Sequence, residues 1–155
     1  MIRATDITKS FGAQVLFANA NFTVAPGERV GLIGRNGSGK TTIFRLLAGE
    51  EHLDQGQIIV PKNYRIGYVS QHLAFSRSTV LAEACAGLPH SAASENSHLA
   101  EAALQGLGFS REDFSRHPGE LAGGFQVRLH LARVLVADVQ MLLLDEPTNY
   151  LDIVA

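Results

Sequence analysis

The first 70 residues alternate between short apolar runs and turns. Residues 2–8 and 15–24 are typical of two strands joined by a turn. Two more strands are predicted at 57–60 and 65–69, around a turn with the sequence Pro-Lys-Asn. The apolar run at 29–33 follows a Pro-Gly break and predicts a short buried strand. This part of the chain is therefore expected to be rich in strands.

Helical periodicity appears at four places. The predicted helices begin at Lys40 and end at Gly49, span 79–86 and 97–107, and run from the Gly-Gly pair at 123–124 to Val136. The polar stretch 87–96 indicates a flexible connection, and 139–144 a fully buried strand. Alternation of strands and crossover helices favours an α/β protein with a parallel sheet.

Composition narrows the class of protein. The chain has 155 residues, enough for about one domain with a sizeable core. Its net charge of −2 produces no strong overall field toward nucleic acid, and its single cysteine cannot form an intrachain disulfide. No apolar run is long enough to span a bilayer, and the charged N-terminus does not resemble a secretory signal. These features indicate a soluble, cytoplasmic protein without a transmembrane segment of its own.

Histidine and arginine side chains have ordinary interpretations. The six histidines lack the i, i+4 spacing of a metal site, so they are predicted to be polar surface residues. Four arginines could form an RNA-facing patch or serve as solvated and salt-bridge residues, and the second interpretation is the more common. They are Arg111, Arg116, Arg128 and Arg133.

The segment GRNGSGKT, residues 34–41, matches a phosphate-binding loop in full. Glycines allow successive amides to face phosphate oxygens, and the following helix adds its positive end. Lys40 would reach the β- and γ-phosphates, and the Thr41 hydroxyl would bind Mg²⁺. The alternative is a glycine-rich turn with an exposed lysine.

A second candidate feature is the acidic end of the strand MLLLDE, residues 141–146. Asp145 is placed to hold Mg²⁺ through water, and Glu146 to polarise an attacking water. The alternative is a solvated acidic pair that ends a strand.

Together these motifs resemble the ATP-binding cassette (ABC) family. The decisive element is ELAGGFQVRLHLARVL at 120–135, which is similar to the ABC signature that opens a helix before the acidic strand. DEPTNYLD, residues 145–152, resembles the stretch that leads into the D-loop of the family, at Asp152. The resemblance implies an α/β P-loop fold with a mixed sheet, an N-terminal antiparallel β part and a small helical subdomain. It also implies a single, partial cassette at 1–155, with a nucleotide-binding core at 1–70 and 121–155 and a helical subdomain at 71–120.

The resemblance also assigns site residues. Phe11 would stack on adenine, although it could be a plain core residue. Gln71 would be the Q-loop glutamine. It would take part in catalysis with Lys40 and Glu146, and it would bind the metal together with Thr41 and Asp145. The alternative is that Gln71 merely begins a helix. The nucleotide would be bound by Gly34, Asn36, Gly37, Ser38, Gly39, Lys40, Thr41 and Thr42. The signature residues, which would face the nucleotide of a partner cassette, are Leu121, Ala122, Gly123, Gly124 and Gln126.

Within the family, GGFQVRLHLARVL and DEPTNYLDI are most similar to the ABC-F branch. That resemblance implies an ATPase with ATP and Mg²⁺ as cofactors, a second cassette as partner, and an action on the ribosome and its rRNA. The chain would then be part of a first cassette. The alternatives are the nucleotide-binding subunit of a membrane transporter, which docks on a permease, and a fragment that binds nucleotide without hydrolysing it.

Three departures from the family pattern carry expectations of their own. The signature serine is replaced by Ala122, which removes one hydrogen bond to a charged group, about 1.5–3 kcal/mol, and should weaken the two-cassette sandwich. The chain stops at Ala155, before the switch histidine of the family, and the region between Gln71 and Leu121 is short for the helical arm of ABC-F proteins. A truncated or internally shortened cassette is therefore expected, with marginal stability and little sustained hydrolysis.

Overall fold

A computed structural model describes residues 1–70, 73–89 and 96–146. The chain divides into two compact units, 1–66 and 67–155. The predicted division into a nucleotide-binding core and a helical subdomain at 71–120 stays a prediction. Within the second unit, helices from 71–120 pack against the helix that follows residue 120.

The first unit is built on a three-stranded sheet. Its strands are β1 (Ile2–Phe11), β2 (Gln14–Val24) and β3 (Gln55–Ile59), in the order β2-β1-β3. β1 pairs antiparallel with both neighbours, which confirms the predicted antiparallel N-terminal part. Alternation along β1 buries Ile2 and Ala4, and a register shift between Ala4 and Ile7 brings Ile7 to a buried position as well. Helix α1 (Lys40–Ala48) starts and ends where the sequence predicts, with Gly49 at its C-terminal cap in a left-handed conformation.

The second unit is mainly helical. A two-stranded sheet of β4 (Ile66–Val69) and β5 (Met141–Leu144) accompanies helices α2 (Val80–Cys85), α3 (Ser97–Gly106) and α4 (Gly123–Leu135). Short 3₁₀ turns lie at Glu112–Ser115 and Pro118–Glu120. The helices enclose an apolar core that includes Val80, Leu104 and Leu129, each fully buried. Thr79 caps α2 by accepting a hydrogen bond from the amide of Ala82 at 3.2 Å.

Two sequence predictions about buried strands are wrong. Residues 29–33 form no strand, and Val30 and Ile33 are 61% and 95% exposed. A strand needs a hydrogen-bonded neighbour as well as an apolar sequence, and this segment belongs to neither described sheet. The strand β5 is only partly buried, because Leu143 is covered whereas Leu142 and Leu144 are exposed.

None of the helices in the described part of the chain has the length and apolar character needed to cross a membrane.

Candidate functional site

The loop at 34–39 turns tightly because two glycines adopt left-handed backbone conformations. Gly37 has a φ of 78° and Gly39 a φ of 94°, values at which other residues are strained. The amide of Ser38 donates to the carbonyl of Arg35 at 3.1 Å and closes the turn. Gly34, Asn36 and Ser38 lie exposed along it. A phosphate group can approach the backbone of such a loop closely.

Lys40 is the first residue of α1 and folds back onto this loop. Its Nζ donates to the carbonyl oxygens of Gly34 and Arg35, at 2.9 and 3.0 Å. No side chain caps the start of the helix, and its first turn contains no acidic residue. The positive helix end and the ammonium group therefore lie beside the same loop, an arrangement that favours an anion.

Thr41 and Thr42 follow in the first turn of α1 and are half-buried. The hydroxyl oxygen of Thr41 is a ligand type that magnesium accepts, and magnesium commonly binds together with substrate phosphates. The uncapped helix start, the glycine loop and the lysine therefore fit a magnesium-bound triphosphate.

Phe11 ends β1 and keeps 51% of its surface exposed. This exposure does not fit the alternative in which Phe11 is a plain core residue. The Nζ atom of Lys9 lies 4.9 Å from the centroid of the ring. An exposed aromatic ring on the unit that carries the phosphate loop is compatible with stacking on a base.

In the second unit, Asp145 directly follows β5 and is 6% exposed. Its amide donates to the carbonyl of Val69 at 3.1 Å, and its Oδ2 accepts a hydrogen bond from the Tyr68 hydroxyl at 3.1 Å. Glu146 comes next, with a φ of 51°, a conformation uncommon for a residue with a side chain. Asp145 is therefore an oriented carboxylate rather than a freely solvated one.

The signature segment forms the start of α4. Leu121 is buried, Ala122 is the N-cap residue, and Gly123 and Gly124 are the first two helical residues. The Ala122 carbonyl accepts from the amides of Phe125 and Gln126, at 2.8 and 3.0 Å. No side chain caps this helix, so a serine in place of Ala122 would supply a cap.

Gln126 is held close to the start of its own helix. Its Nε2 atom donates to the carbonyl of Leu121 at 3.0 Å. The side chain amide therefore stays near the exposed Gly123 backbone.

The far end of α4 is held by a buried carboxylate that belongs to none of the sequence motifs. Glu83 in α2 is fully buried, and its Oε1 accepts from Arg133 at 2.8 Å. Its Oε2 accepts from the amides of Ser76 and Arg77, at 2.8 and 2.9 Å. The signal available in the sequence was an acidic residue at an apolar position of a short helix.

The prediction that all six histidines are polar surface residues is wrong for His130. This residue of α4 is half-buried, and its Nε2 lies 3.2 Å from the carbonyl oxygen of Tyr68. Its Nδ1 is buried without a hydrogen-bond partner among the residues that the structure describes. Burial lowers the pKa of His130 below its usual value of 6.5, because the charged ring would lose its hydration.

Three of the four arginines considered for an RNA-facing patch contact the second unit itself. Arg116 pairs with Asp113 at 3.1 Å, Arg133 pairs with Glu83, and Arg128 lies 5.0 Å from the Phe125 ring centroid. These contacts favour the structural interpretation for all three.

Some predicted residues fall outside the described part of the chain. Gln71 and Asp152 are among them, so their positions stay predictions. Within residues 1–70, 73–89 and 96–146, no three His, Cys, Asp or Glu side chains group as metal ligands.

Comparison with known proteins decides the family. A family model described as ABC transporter matches residues 17–149, most of the chain. The chain belongs to the ABC family. The sequence resemblance is thereby confirmed, and with it the predicted fold class.

Two relatives of this ABC chain have names that refer to different processes, translation and import. The energy-dependent translational throttle protein EttA of Escherichia coli K12 is 36% identical over 155 residues, which cover 99% of this chain and 28% of EttA. The sulfate/thiosulfate import ATP-binding protein CysA of Methylococcus capsulatus is 36% identical over 166 residues, which cover 97% of this chain and 48% of CysA. The chain thus spans only 28% of the length of EttA.

Solved structures show the same fold. The dimeric structure of the cassette MJ0796, in a post-hydrolysis state bound to ADP and Pi, matches with a TM-score of 0.82 at 24% identity. The match covers 99% of this ABC chain and 77% of that cassette.

Proposed function

We propose that this ABC chain binds ATP with Mg²⁺ and hydrolyses it as one member of a pair of cassettes, whose closing and opening is the output. The observation that carries the proposal is the phosphate loop. Left-handed glycines lead into an uncapped helix whose first side chain, Lys40, lies on the same loop. This is the local structure that a polyphosphate needs, because it combines backbone amides, a helix end and a cation.

Under this proposal the site residues have separate tasks. Residues 34–42 bind the phosphates, Phe11 stacks on the base, and Thr41, Gln71 and Asp145 hold the magnesium ion. When bound, magnesium neutralises charge on the phosphate oxygens. Glu146 accepts a proton from the water that attacks the γ-phosphate. The orienting hydrogen bond from Tyr68 supports the metal role of Asp145.

The signature residues are proposed to serve the nucleotide of the second cassette. Leu121, Ala122, Gly123, Gly124 and Gln126 surround an exposed helix start with no acidic residue in its first turn. Its amides can donate to a phosphate held by another cassette. The dimeric state of the MJ0796 cassette supports this arrangement. In the absence of a serine hydroxyl at Ala122, the closed pair should form more weakly.

The variant Glu146→Gln tests the enzymatic part. Losing the general base should slow steady-state phosphate release about 100-fold or more, while equilibrium ATP binding stays the same. Glu50→Gln, on an exposed turn residue, is the matched control. Unchanged phosphate release in Glu146→Gln would show that this carboxylate is not the base. Binding without any phosphate release in the unaltered chain would favour a nucleotide binder that does not hydrolyse.

For the target, we propose an ABC-F protein that acts on the ribosome in the cytoplasm. The similarity to EttA over 99% of this chain supports this target, together with the resemblance of the signature sequence to the ABC-F branch. The similarity to CysA supports a second candidate, the nucleotide-binding subunit of a membrane importer. Sedimentation of the Glu146→Gln variant with purified ribosomes in the presence of ATP is expected from the first. Co-purification with a membrane permease, and no sedimentation with ribosomes, is expected from the second.

A further inference from the structure

Lys9 is a nearly buried cation close to the end of β1. The residue is 7% exposed, and its Nζ donates to Oε1 of Glu51 at 3.0 Å and to the carbonyl of His52 at 2.8 Å. Asp54 adds a third oxygen, Oδ1, at 3.6 Å. A buried ammonium group is stable only with such partners, and these partners hold it in one place.

The fixed ammonium group lies over the ring of Phe11. The distance from Nζ to the ring centroid is 4.9 Å, within the range of cation–π attraction. Because the ring still has 51% of its surface exposed, Lys9 leaves room for another flat group. The cation therefore restrains the ring without covering it.

The partners of Lys9 also hold the backbone next to Phe11. Asp54 Oδ2 accepts from the amide and the hydroxyl of Ser10, at 2.7 and 2.6 Å. The amide of Asp54 donates to the carbonyl of Thr8 at 3.0 Å. Since residues 51–54 follow α1 closely along the chain, they tie the end of β1 to the segment that leaves the phosphate-binding helix.

The charges of this cluster persist across the neutral pH range. The hydrogen bond to Glu51 raises the pKa of Lys9, and the bonds from Ser10 lower the pKa of Asp54. The cation and its anchors therefore stay ionised together.

We propose that Lys9 is a positioning residue for the nucleotide base: anchored by Glu51, His52 and Asp54, it holds the Phe11 ring so that its exposed surface receives the base. This inference rests on the proposed function, because it takes Phe11 as the base-stacking residue. It assigns Lys9 to the base half of the nucleotide and not to its phosphates.

The experiment compares two probes by titration calorimetry, Mg²⁺-ATP and Mg²⁺-tripolyphosphate, which lacks the base. Lys9→Met should weaken ATP binding about two- to fivefold and leave tripolyphosphate binding unchanged. Arg3→Met, which removes an exposed charge on the same strand, is the matched control. Phe11→Leu should weaken ATP more strongly, and the double variant should bind ATP like Phe11→Leu alone.

A milder variant covers the case in which Lys9→Met does not fold. Glu51→Gln loosens the anchor and keeps the ammonium group, so it should lower ATP affinity by a smaller factor than Lys9→Met. Additive losses in the double variant, or an equal loss for both probes, would overturn the inference. An unaltered chain that binds neither probe would contradict the proposed function itself. Binding of both probes with no change in Lys9→Met or Glu51→Gln would contradict only the role of Lys9.

Discussion

The starts of helices α1 and α4 both contain glycine, but they differ in what each can bind alone. Gly39 is the N-cap residue of α1, and Gly123 is the first residue of α4. Both helices lack a side-chain cap and have no acidic residue in the first turn. The start of α1 also has two left-handed glycines in front of it and a lysine that folds onto the loop. The start of α4 has no such cation, and its Gln126 is bonded to Leu121. Only the first is equipped to hold a polyphosphate by itself, since a helix end contributes about 0.3–1 kcal/mol without a charged partner.

The two helices are also anchored differently. The segment behind α1 is held by Glu51 and Asp54, whose side chains are 25% and 38% exposed. The end of α4 is held by Glu83, which is fully buried. Because water can replace the partners of an exposed carboxylate but not those of a buried one, the anchor of α4 should matter more for stability.

The largest effect is therefore expected for Glu83→Ala. This change leaves two backbone amides without their acceptor and should lower the free energy of unfolding of the second unit by about 2–4 kcal/mol. Urea denaturation followed by circular dichroism measures it. Glu112→Ala, on an exposed 3₁₀ turn, is the control and should stay within about 0.5 kcal/mol. Equal effects of the two changes would mean that burial of Glu83 does not stabilise α4.

Lys40→Met should have the next largest effect, confined to ligand binding. Losing the charge-assisted hydrogen bonds to phosphate should weaken Mg²⁺-ATP binding roughly 10- to 100-fold. Titration calorimetry measures the change, and Arg45→Met on the exposed side of α1 is the control. If ATP binds equally well without Lys40, the start of α1 is no better an anion site than that of α4, and the comparison fails.

Ala122→Ser is expected to have a smaller effect, which is a gain in stability. A serine at the N-cap of α4 can accept a hydrogen bond from its first turn, which should raise the unfolding free energy by about 1 kcal/mol. Ala102→Ser, at an exposed position inside α3, should give no gain because serine is a poor residue within a helix. If the two serine variants are equally stable, the α4 start is satisfied in another way.

The smallest effect concerns pH and separates the two units. The pKa of His130 is lowered in the folded chain, so the unfolded chain binds a proton first as the pH falls below about 6.5. The second unit should therefore lose stability as the pH falls from about 6.5 to the pKa that His130 has in the folded chain. Below that pKa, His130 should cause no further loss. In the first unit, the folded-state pKa values of Glu51 and Asp54 lie below the usual values of 4.5 and 3.8. The stability that these two carboxylates contribute is therefore lost only as the pH falls below those usual values. Hydrogen exchange at pH 7 and pH 5.5 compares the units, and His130→Gln should abolish the difference that comes from this group.

The elements that sequence predicted well are those with local causes. Hydrophobic periodicity and the positions of glycine and proline account for several elements. These are the strands β1 and β2, the helix between Lys40 and Gly49, and the turn at Asn63. The prediction at 29–33 is wrong for the opposite reason, since pairing with another strand is not a property of the segment itself.

The candidate site divides in the same way. The sequence by itself determined the phosphate loop and the glycine start of α4, because the residues that shape each of them are neighbours along the chain. Only the tertiary structure decided that Lys9 lies over Phe11 and bonds Glu51, that Glu83 holds Arg133, and that Tyr68 orients Asp145. The anchoring partners are 42, 50 and 77 residues apart. Contacts over such separations depend on how whole elements pack, and no periodicity within a single segment records that.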